Sequence, residues 1–450
     1  MTSGRRASIW VDVEDFAVYF ASSPRPSGIQ RVMFEIMGAL MAEPPGVRFV
    51  RRNGPGCLRE VGWKQVQALF AGVVQPTAHV NRVGSGSVIR RALRTLPRPV
   101  QEPLVRAGRL QLEAVGSLRQ FLRRNARSGQ PEKGAETVEM VEGDWLLSLG
   151  APWAVPGFAE VLTALKARTG VRVALLLYDL VPARHPEWCT PGLVAAFDTW
   201  LDRTLPLCDR LMAISDHTAQ DVAAYARERR IGLAGAPVTI PMGTGFGSAT
   251  HLPGDGPGGE GLPAPGSYVL VVSTLEARKN HAFAVRVWRR LMEDVRTGVR
   301  PAASVPTLVF AGRVGWLVSD MLEQLDNTRW LQGKVRLIRD PTDAELRALY
   351  AGCLFTFVPS LFEGWGLPVT ESLAAGVPCL ISDRAALPEA GGKLARYFDP
   401  EDVSGGYRAV ATLVDDRAAL AAWREEVAQT FQPVPWSAAG RAVLSELAGA

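Results

Sequence analysis

The residues with the most chemical content lie in one run: Pro359-Ser-Leu-Phe-Glu-Gly-Trp-Gly-Leu-Pro-Val-Thr-Glu-Ser-Leu-Ala-Ala-Gly-Val-Pro378. Gly364 and Gly366 permit turn conformations and let backbone come close to a ligand. Pro368 suits the first turn of a helix and Gly376 suits its end. The free N–H groups of that first turn, with the helix dipole behind them, form a site for a diphosphate. Glu363 in the loop and Glu371 one turn inside the helix flank this point. A carboxylate beside a diphosphate repels it unless it has another task, and carboxylates accept hydrogen bonds from hydroxyls, two at once from a diol. The pattern therefore suits a ligand with phosphates in the middle and a sugar at each end. Either glutamate alone reads more simply as a helix-end charge or an exposed turn residue. The whole string does not.

A second run, Val271-Val-Ser-Thr-Leu-Glu-Ala-Arg-Lys-Asn-His281, places two cations, Arg278 and Lys279, in a loop after a strand-like segment. Cations there would neutralise a leaving diphosphate and lower the barrier to breaking its bond to a sugar. Asn280 reads as the N-cap of a following helix.

The elements needed to hold these runs can be read from periodicity. A buried-strand pattern at 7–11 ends at Asp12, residues 13–27 read as a loop, and Ile29, Val32, Met33, Ile36 and Leu40 recur at helical spacing. Strand-like runs at 145–149, 171–178 and 211–214 alternate with helix-like runs at 158–167 and 218–227. From Gly245 to Ser267 there are eight glycines and four prolines, too few apolar residues to build a core, so this stretch reads as a linker. The alternation then restarts: strands at 268–272, 307–310, 335–338, 354–358 and 378–381, and helices at 281–294, 343–351 and 368–375. A last helix spans 437–447, with Ser437 as its cap. Strands alternating with helices predict an α/β chain with two doubly wound parallel sheets, and open sheets of this kind bind ligands at the carboxyl ends of their strands. The expected division is an N-terminal unit over 1–250 with a basic insertion at about 75–140, a linker over 251–266, a second unit over 267–430, and a C-terminal helix in 431–450 that packs back on the first unit.

With these residues in place, the Glu-x(7)-Glu string resembles the signature of glycosyltransferase family 4, a retaining, generally metal-independent family of the GT-B fold. The resemblance implies two Rossmann-like domains facing across a cleft. It implies that Glu371 binds the ribose of a nucleotide and that Glu363 holds hydroxyls of the transferred sugar. The backbone N–H groups of Gly366 and Leu367 would meet the phosphates, with Gly364 and Trp365 alongside. Arg278 and Lys279 match the family's Arg-Lys-Asn element. Many relatives carry another arginine where this chain has Ser273 or Thr274, so part of the positive charge must come from elsewhere. Phe310-Ala-Gly-Arg313 and the stretch from Ile338 to Tyr350 resemble segments beside the nucleotide. Ser27-Gly-Ile-Gln-Arg-Val32 resembles the glycine loop of one branch of the family, with Gly28 approaching the donor from the opposite wall and Arg31 either meeting a phosphate or lying on a helix surface. Asp179 matches a strand-end acid on the acceptor side, while Tyr178 replaces the histidine often found before it. His185 and His217 read as loop or cap residues.

The activity implied is transfer of a hexose from a nucleotide-diphosphate sugar to a glycan or lipid-linked acceptor, with no metal or other cofactor. The branch with the Gly-Ile-Gln-Arg-Val loop leans towards mannose-type donors and bacterial surface polysaccharide assembly. The alternative is a protein of the same fold that binds nucleotide sugar without catalysis. Gly243-Thr-Gly-Phe-Gly247 resembles a dinucleotide loop, but no helix can follow it through the linker. Asp12-Val-Glu14 is the nearest thing to a metal-binding Asp-x-Asp.

Composition agrees with a soluble chain: 47% apolar and 21% charged residues, with no apolar run long enough to span a bilayer and no visible signal peptide. Five scattered cysteines without paired spacing point to reduced thiols and a cytoplasmic location. The net charge of +5 hides an asymmetry. Eleven arginines against two glutamates between 82 and 127 give +9 there, leaving −4 for the rest of the chain. Such a block suits peripheral contact with anionic lipid at the inner membrane or with a phosphate-bearing acceptor, or equally a solvated insertion. With Phe121 as its lone aromatic, it lacks the interleaved rings of a nucleic-acid binder.

Overall fold

Seven short strands of the N-terminal half pair in the order β3-β2-β1-β4-β5-β6-β7. They are β1 (Ile9–Asp12), β2 (Arg48–Arg52), β3 (Leu58–Val61), β4 (Trp145–Ser148), β5 (Arg172–Leu177), β6 (Arg210–Ala213) and β7 (Val238–Thr239). All pairs are parallel except β2 with β3. The protein is described by a computed structural model covering residues 7–21, 23, 25–44, 46–53, 57–71, 137–245 and 261–449. The arginine block at 82–127 lies outside the described residues, as does most of the expected linker.

The central strands are buried on both faces, which is why they read as continuous apolar runs. Val11, Leu147, Ala174 and Leu176 face one core with Met33 and Ile36 of the helix Gly28–Ala42. Their neighbours Trp10, Leu146, Val173 and Leu175 face the other, against Leu162, Phe197 and Trp200. A one-residue slip in register would exchange the two sets.

The second sheet has the order β10-β9-β8-β11-β12-β13, all parallel. Its strands are β8 (Tyr268–Val272), β9 (Thr307–Ala311), β10 (Val335–Ile338), β11 (Thr356–Val358), β12 (Cys379–Ser382) and β13 (Arg396–Phe398). Its core contains Trp288, Phe283, Phe310, Phe357 and Phe398. In each sheet the strand order reverses beside a central strand, β1 or β8, and such a reversal opens a crevice at the carboxyl edge. The segment after β8 and the Pro359 run after β11 leave from neighbouring points of that edge.

The chain then returns to its first half. The helix Trp436–Ala448 packs along Gly28–Ala42, where Gly440 lies against Ala39 with too little room for a side chain. Thr244 N–H donates to the Val434 carbonyl at 2.8 Å, and Trp436 Nε1 donates to the Gly245 carbonyl at 2.7 Å.

Several local expectations are corrected. Residues 13–27 are not all loop: Glu14–Phe20 is a helix, because Phe16 and Phe20 meet at 4.9 Å and Phe16 reaches Phe70 of the helix Trp63–Phe70. The pair β2 and β3 was passed over because Arg48, Arg51, Arg59 and Glu60 break its apolar pattern at a sheet edge. Ser437 is not the cap of the last helix. Pro435 is the cap residue, and seating the Trp436 ring on Gly243 fixes the start one residue earlier. Asn280 does precede a helix, His281–Arg296, but it has a left-handed φ of 55° and does not cap with its side chain, whose amide donates to the Pro400 carbonyl at 3.1 Å.

Candidate functional site

The Pro359 run leaves β11, turns at Gly364 to Gly366 and enters the helix Leu367–Ala374. Gly366 is the residue before that helix and has φ 114°, a conformation open to glycine. Gly364 is required by crowding: a Cβ there would lie 1.9 Å from the Tyr178 carbonyl oxygen, on the other sheet. The turn is thus pressed against the end of β5, beside Asp179. Trp365 packs against the cores of both halves and serves as filler between them.

Glu363 is buried and holds both cations of the second run. Lys279 Nζ donates to its two oxygens at 2.5 and 2.7 Å, and Arg278 Nη1 donates to Oε2 at 2.9 Å. Burial pushes its pKa up, but Lys279 and Arg278 outweigh burial and hold it down at about 2. Arg278 also pairs through Nε with the buried Glu276 at 2.7 Å. Burial lowers the Arg278 pKa, but Glu363 and Glu276 more than reverse this, so it stays charged. Two buried glutamates therefore balance the two cations. Arg313, just beyond β9, is half-buried and has no ion-pair partner among the described residues. Its carbonyl accepts from Leu275 N–H at 2.8 Å, which places it next to Ser273 and Thr274, where the expected arginine is missing. Ser273 Oγ lies 3.0 Å from Nε2 of His281, whose pKa burial and Lys279 lower to about 3, so the ring is neutral.

Glu371 accepts a 2.6 Å hydrogen bond from Tyr350 Oη. Burial raises its pKa, while Tyr350 and Arg31 act to keep it ionised. Ile338 ends β10, and its carbonyl accepts from Gly312 N–H at 3.0 Å. Gly28 opens its helix against Leu367: a Cβ there would lie 3.3 Å from Leu367 Cδ1. Arg31 makes a two-pronged ion pair with Asp343.

Asp179 accepts from Val181 N–H at 3.1 Å. In place of the expected histidine, Tyr178 turns its hydroxyl inward to the Leu149 carbonyl at 2.7 Å. His185 is the cap residue after the helix Val181–Arg184 and His217 lies in the first turn of Asp216–Arg229; both rings lie 5.2 Å from the Phe362 ring. Sequence reasoning also passed over Glu389, whose carboxylate crosses the cleft to accept from Asp216 and His217 N–H at 2.8 and 2.9 Å. It passed over Tyr350 as a partner of Glu371 as well. Nothing local marks such pairs, since each joins residues far apart in the chain. Glu14 of the Asp12-Val-Glu14 run is held by Arg51 at 3.0 Å.

Comparison with known proteins fits this geometry. Residues 259–430 match the family model described as Glycosyl transferases group 1. The chain is 26% identical over 262 residues to serotype-specific mannosyltransferase WbdA of Escherichia coli, covering 56% of this chain and 31% of that protein. It is 32% identical over 136 residues to O-antigen chain mannosyltransferase B of Escherichia coli, covering 30% of this chain and 34% of the relative. The matches thus span about a third of those relatives' length. The crystal structure of Anabaena Alr3699/HepE in complex with UDP and glucose superposes with a TM-score of 0.55 at 12% identity, covering 99% of this chain and all of that one. The fold is GT-B: two Rossmann-like α/β domains with their strand ends facing across a cleft.

Proposed function

We propose that this protein is a retaining glycosyltransferase. It moves a hexose, of mannose type, from a nucleotide-diphosphate sugar to a glycan or lipid-linked acceptor in bacterial surface polysaccharide assembly. The observation that carries the reading is the ionised Glu363 held between Lys279 and Arg278, before the Leu367 helix and next to Gly364, which is pressed against Tyr178 and Asp179 of the other domain. The mannosyltransferase names of the relatives support the donor class, and the UDP-bound HepE structure supports a nucleotide as its carrier.

In this mechanism Glu371 takes the ribose hydroxyls, and the diphosphate lies at the N-terminus of the Leu367 helix. Glu363 orients hydroxyls of the transferred sugar. Lys279, Arg278 and Arg313, with the helix N-terminus, stabilise the leaving diphosphate without a metal. The bond from the anomeric carbon to the phosphate oxygen breaks. The acceptor oxygen bonds to that carbon on the same face, and the departing phosphate oxygen takes the acceptor's proton. The arginines at 82–127 serve peripheral contact with an anionic membrane surface at the cytoplasmic face, and co-sedimentation with anionic vesicles tests this.

Calorimetric titration with UDP, GDP, ADP and dTDP tests the donor class, and slow release of free sugar from the matching donor tests catalysis. The expected result is one preferred nucleotide and measurable hydrolysis without acceptor. Binding without hydrolysis or transfer would favour a non-catalytic protein, and no binding at all would overturn the reading.

A further inference from the structure

The first turn of the Gly28 helix packs on the N-terminal domain, yet Gly28 and Arg31 both meet residues of the other domain. Gly28 and Arg31 are three residues apart and so share that face. Gly28 abuts Leu367, the first residue of the helix that carries Glu371. Arg31 Nη1 donates to Asp343 Oδ2 at 3.0 Å, and Nη2 pairs with Oδ1. Asp343 opens the helix Asp343–Gly352, which also supplies Tyr350, the hydrogen-bond donor to Glu371. Both members of the ion pair are largely shielded, with side chains 18% and 15% exposed. A planar guanidinium facing a carboxylate in this two-pronged way is specific in direction as well as strong. Arg25 adds a second link, donating to the Asp340 carbonyl.

We infer that Arg31 is a positioning residue: its ion pair with Asp343 clasps the two domains over the nucleotide end of the donor site and sets how long a nucleotide diphosphate stays bound there. This rests on the reading of Glu371 as the ribose carboxylate. The clasp and the Glu371 site share the Asp343–Gly352 helix. Opening the cleft at this end removes Arg31 from the field of Glu371 and leaves Asp343 without its partner. The nucleotide can leave only when the pair has broken.

The test compares Arg31→Asp, Asp343→Arg and the double variant Arg31→Asp/Asp343→Arg in the full chain. Each single change juxtaposes like charges and is expected to speed dissociation of the preferred nucleoside diphosphate about 10-fold or more, as measured by stopped flow. The donor KM should rise while kcat at saturation stays within about threefold, because the reacting atoms are untouched. The double variant restores the pair in reverse and should return the dissociation rate to within about threefold of the parent. A swap no better than the single variants, or single variants with unchanged dissociation, would overturn the proposal. Small-angle scattering without ligand supplies a readout independent of Glu371. The single variants should be more expanded than the parent and the swap should recompact, whereas equal dimensions throughout would overturn the clasp. If the parent binds no nucleoside diphosphate, the ribose reading fails and scattering alone decides the clasp.

Discussion

The two walls of the cleft treat their carboxylates in opposite ways. On the C-terminal wall, Glu363 is buried but carries two cations, and its pKa is held down at about 2. On the N-terminal wall, Asp12 ends β1 and Asp15 lies in the first turn of the Glu14–Phe20 helix, both equally buried but weakly compensated. Burial raises Asp12 to about 6, against lowering by the Glu14 N–H and by Arg52 and Arg51 of β2. Burial and the neighbouring Asp12 raise Asp15 to about 7, although Ala151 N–H donates to it at 2.5 Å. One wall has fixed charge and the other has acids that exchange protons near neutrality. A fixed charge suits a surface that orients a charged ligand in one way. Burial alone therefore does not determine the state of an acid, because its partners outweigh it.

The sharpest way to break this contrast is to remove the fixed charge. Glu363→Gln keeps the shape of the side chain but leaves Lys279 and Arg278 without its negative charge. Turnover with saturating donor should fall about 10²-fold or more, in the range for loss of an oriented catalytic contact. Full activity would remove Glu363 from the site. A smaller effect is expected at Glu371, whose charge is only partly supported. Glu371→Ala should weaken nucleotide diphosphate binding roughly 10- to 100-fold by calorimetry, the scale of a lost charge-assisted hydrogen bond. Unchanged affinity would contradict the ribose role. A milder loss of several-fold in affinity, steeper at low salt, is expected for Arg313→Ala if that unpaired guanidinium supplies the charge missing at Ser273 and Thr274.

The smallest expected effect concerns stability and has opposite sign on the two walls. Glu363 has its pKa lowered on folding, so its contribution is present above its ordinary 4.5 and is lost as pH falls towards 2. Asp15 has its pKa raised from 3.8, so its contribution is present below 3.8 and is lost as pH rises through about 7. Asp15→Asn keeps an acceptor for Ala151 N–H and removes the titration. Its Tm should exceed that of the parent by a few degrees at pH 8, and the gain should shrink as pH falls below about 7 towards 3.8. Parallel Tm profiles for the two proteins would show that Asp15 does not titrate as described.

The candidate site was legible in the sequence where its residues lie in contiguous chain. Glu363, Gly366 and Glu371 form one string that specifies strand, turn and helix together, and Arg278 and Lys279 lie in another. Both strings lie next to each other once β8 and β11 are neighbours. The long-range pairings around these residues were not legible. Glu276 with Arg278, Tyr350 with Glu371, Arg31 with Asp343 and Glu389 with the start of the Asp216–Arg229 helix join ordinary-looking residues whose meeting is decided by packing. The fold was legible wherever strands were buried on both faces. It was misread at β2, β3 and Glu14–Phe20, where an edge strand carries charges and a short helix follows a strand directly.

The return of Trp436–Ala448 to the first domain has a mechanical consequence. The polypeptide travels between the lobes twice, and Thr244 and Val434 stitch the two passages side by side. A single tether would let one lobe swivel freely about the other, whereas a double seam resists twisting and leaves folding about its own line as the soft motion. The lobes should therefore move like the covers of a bound book, with displacement growing with distance from the spine.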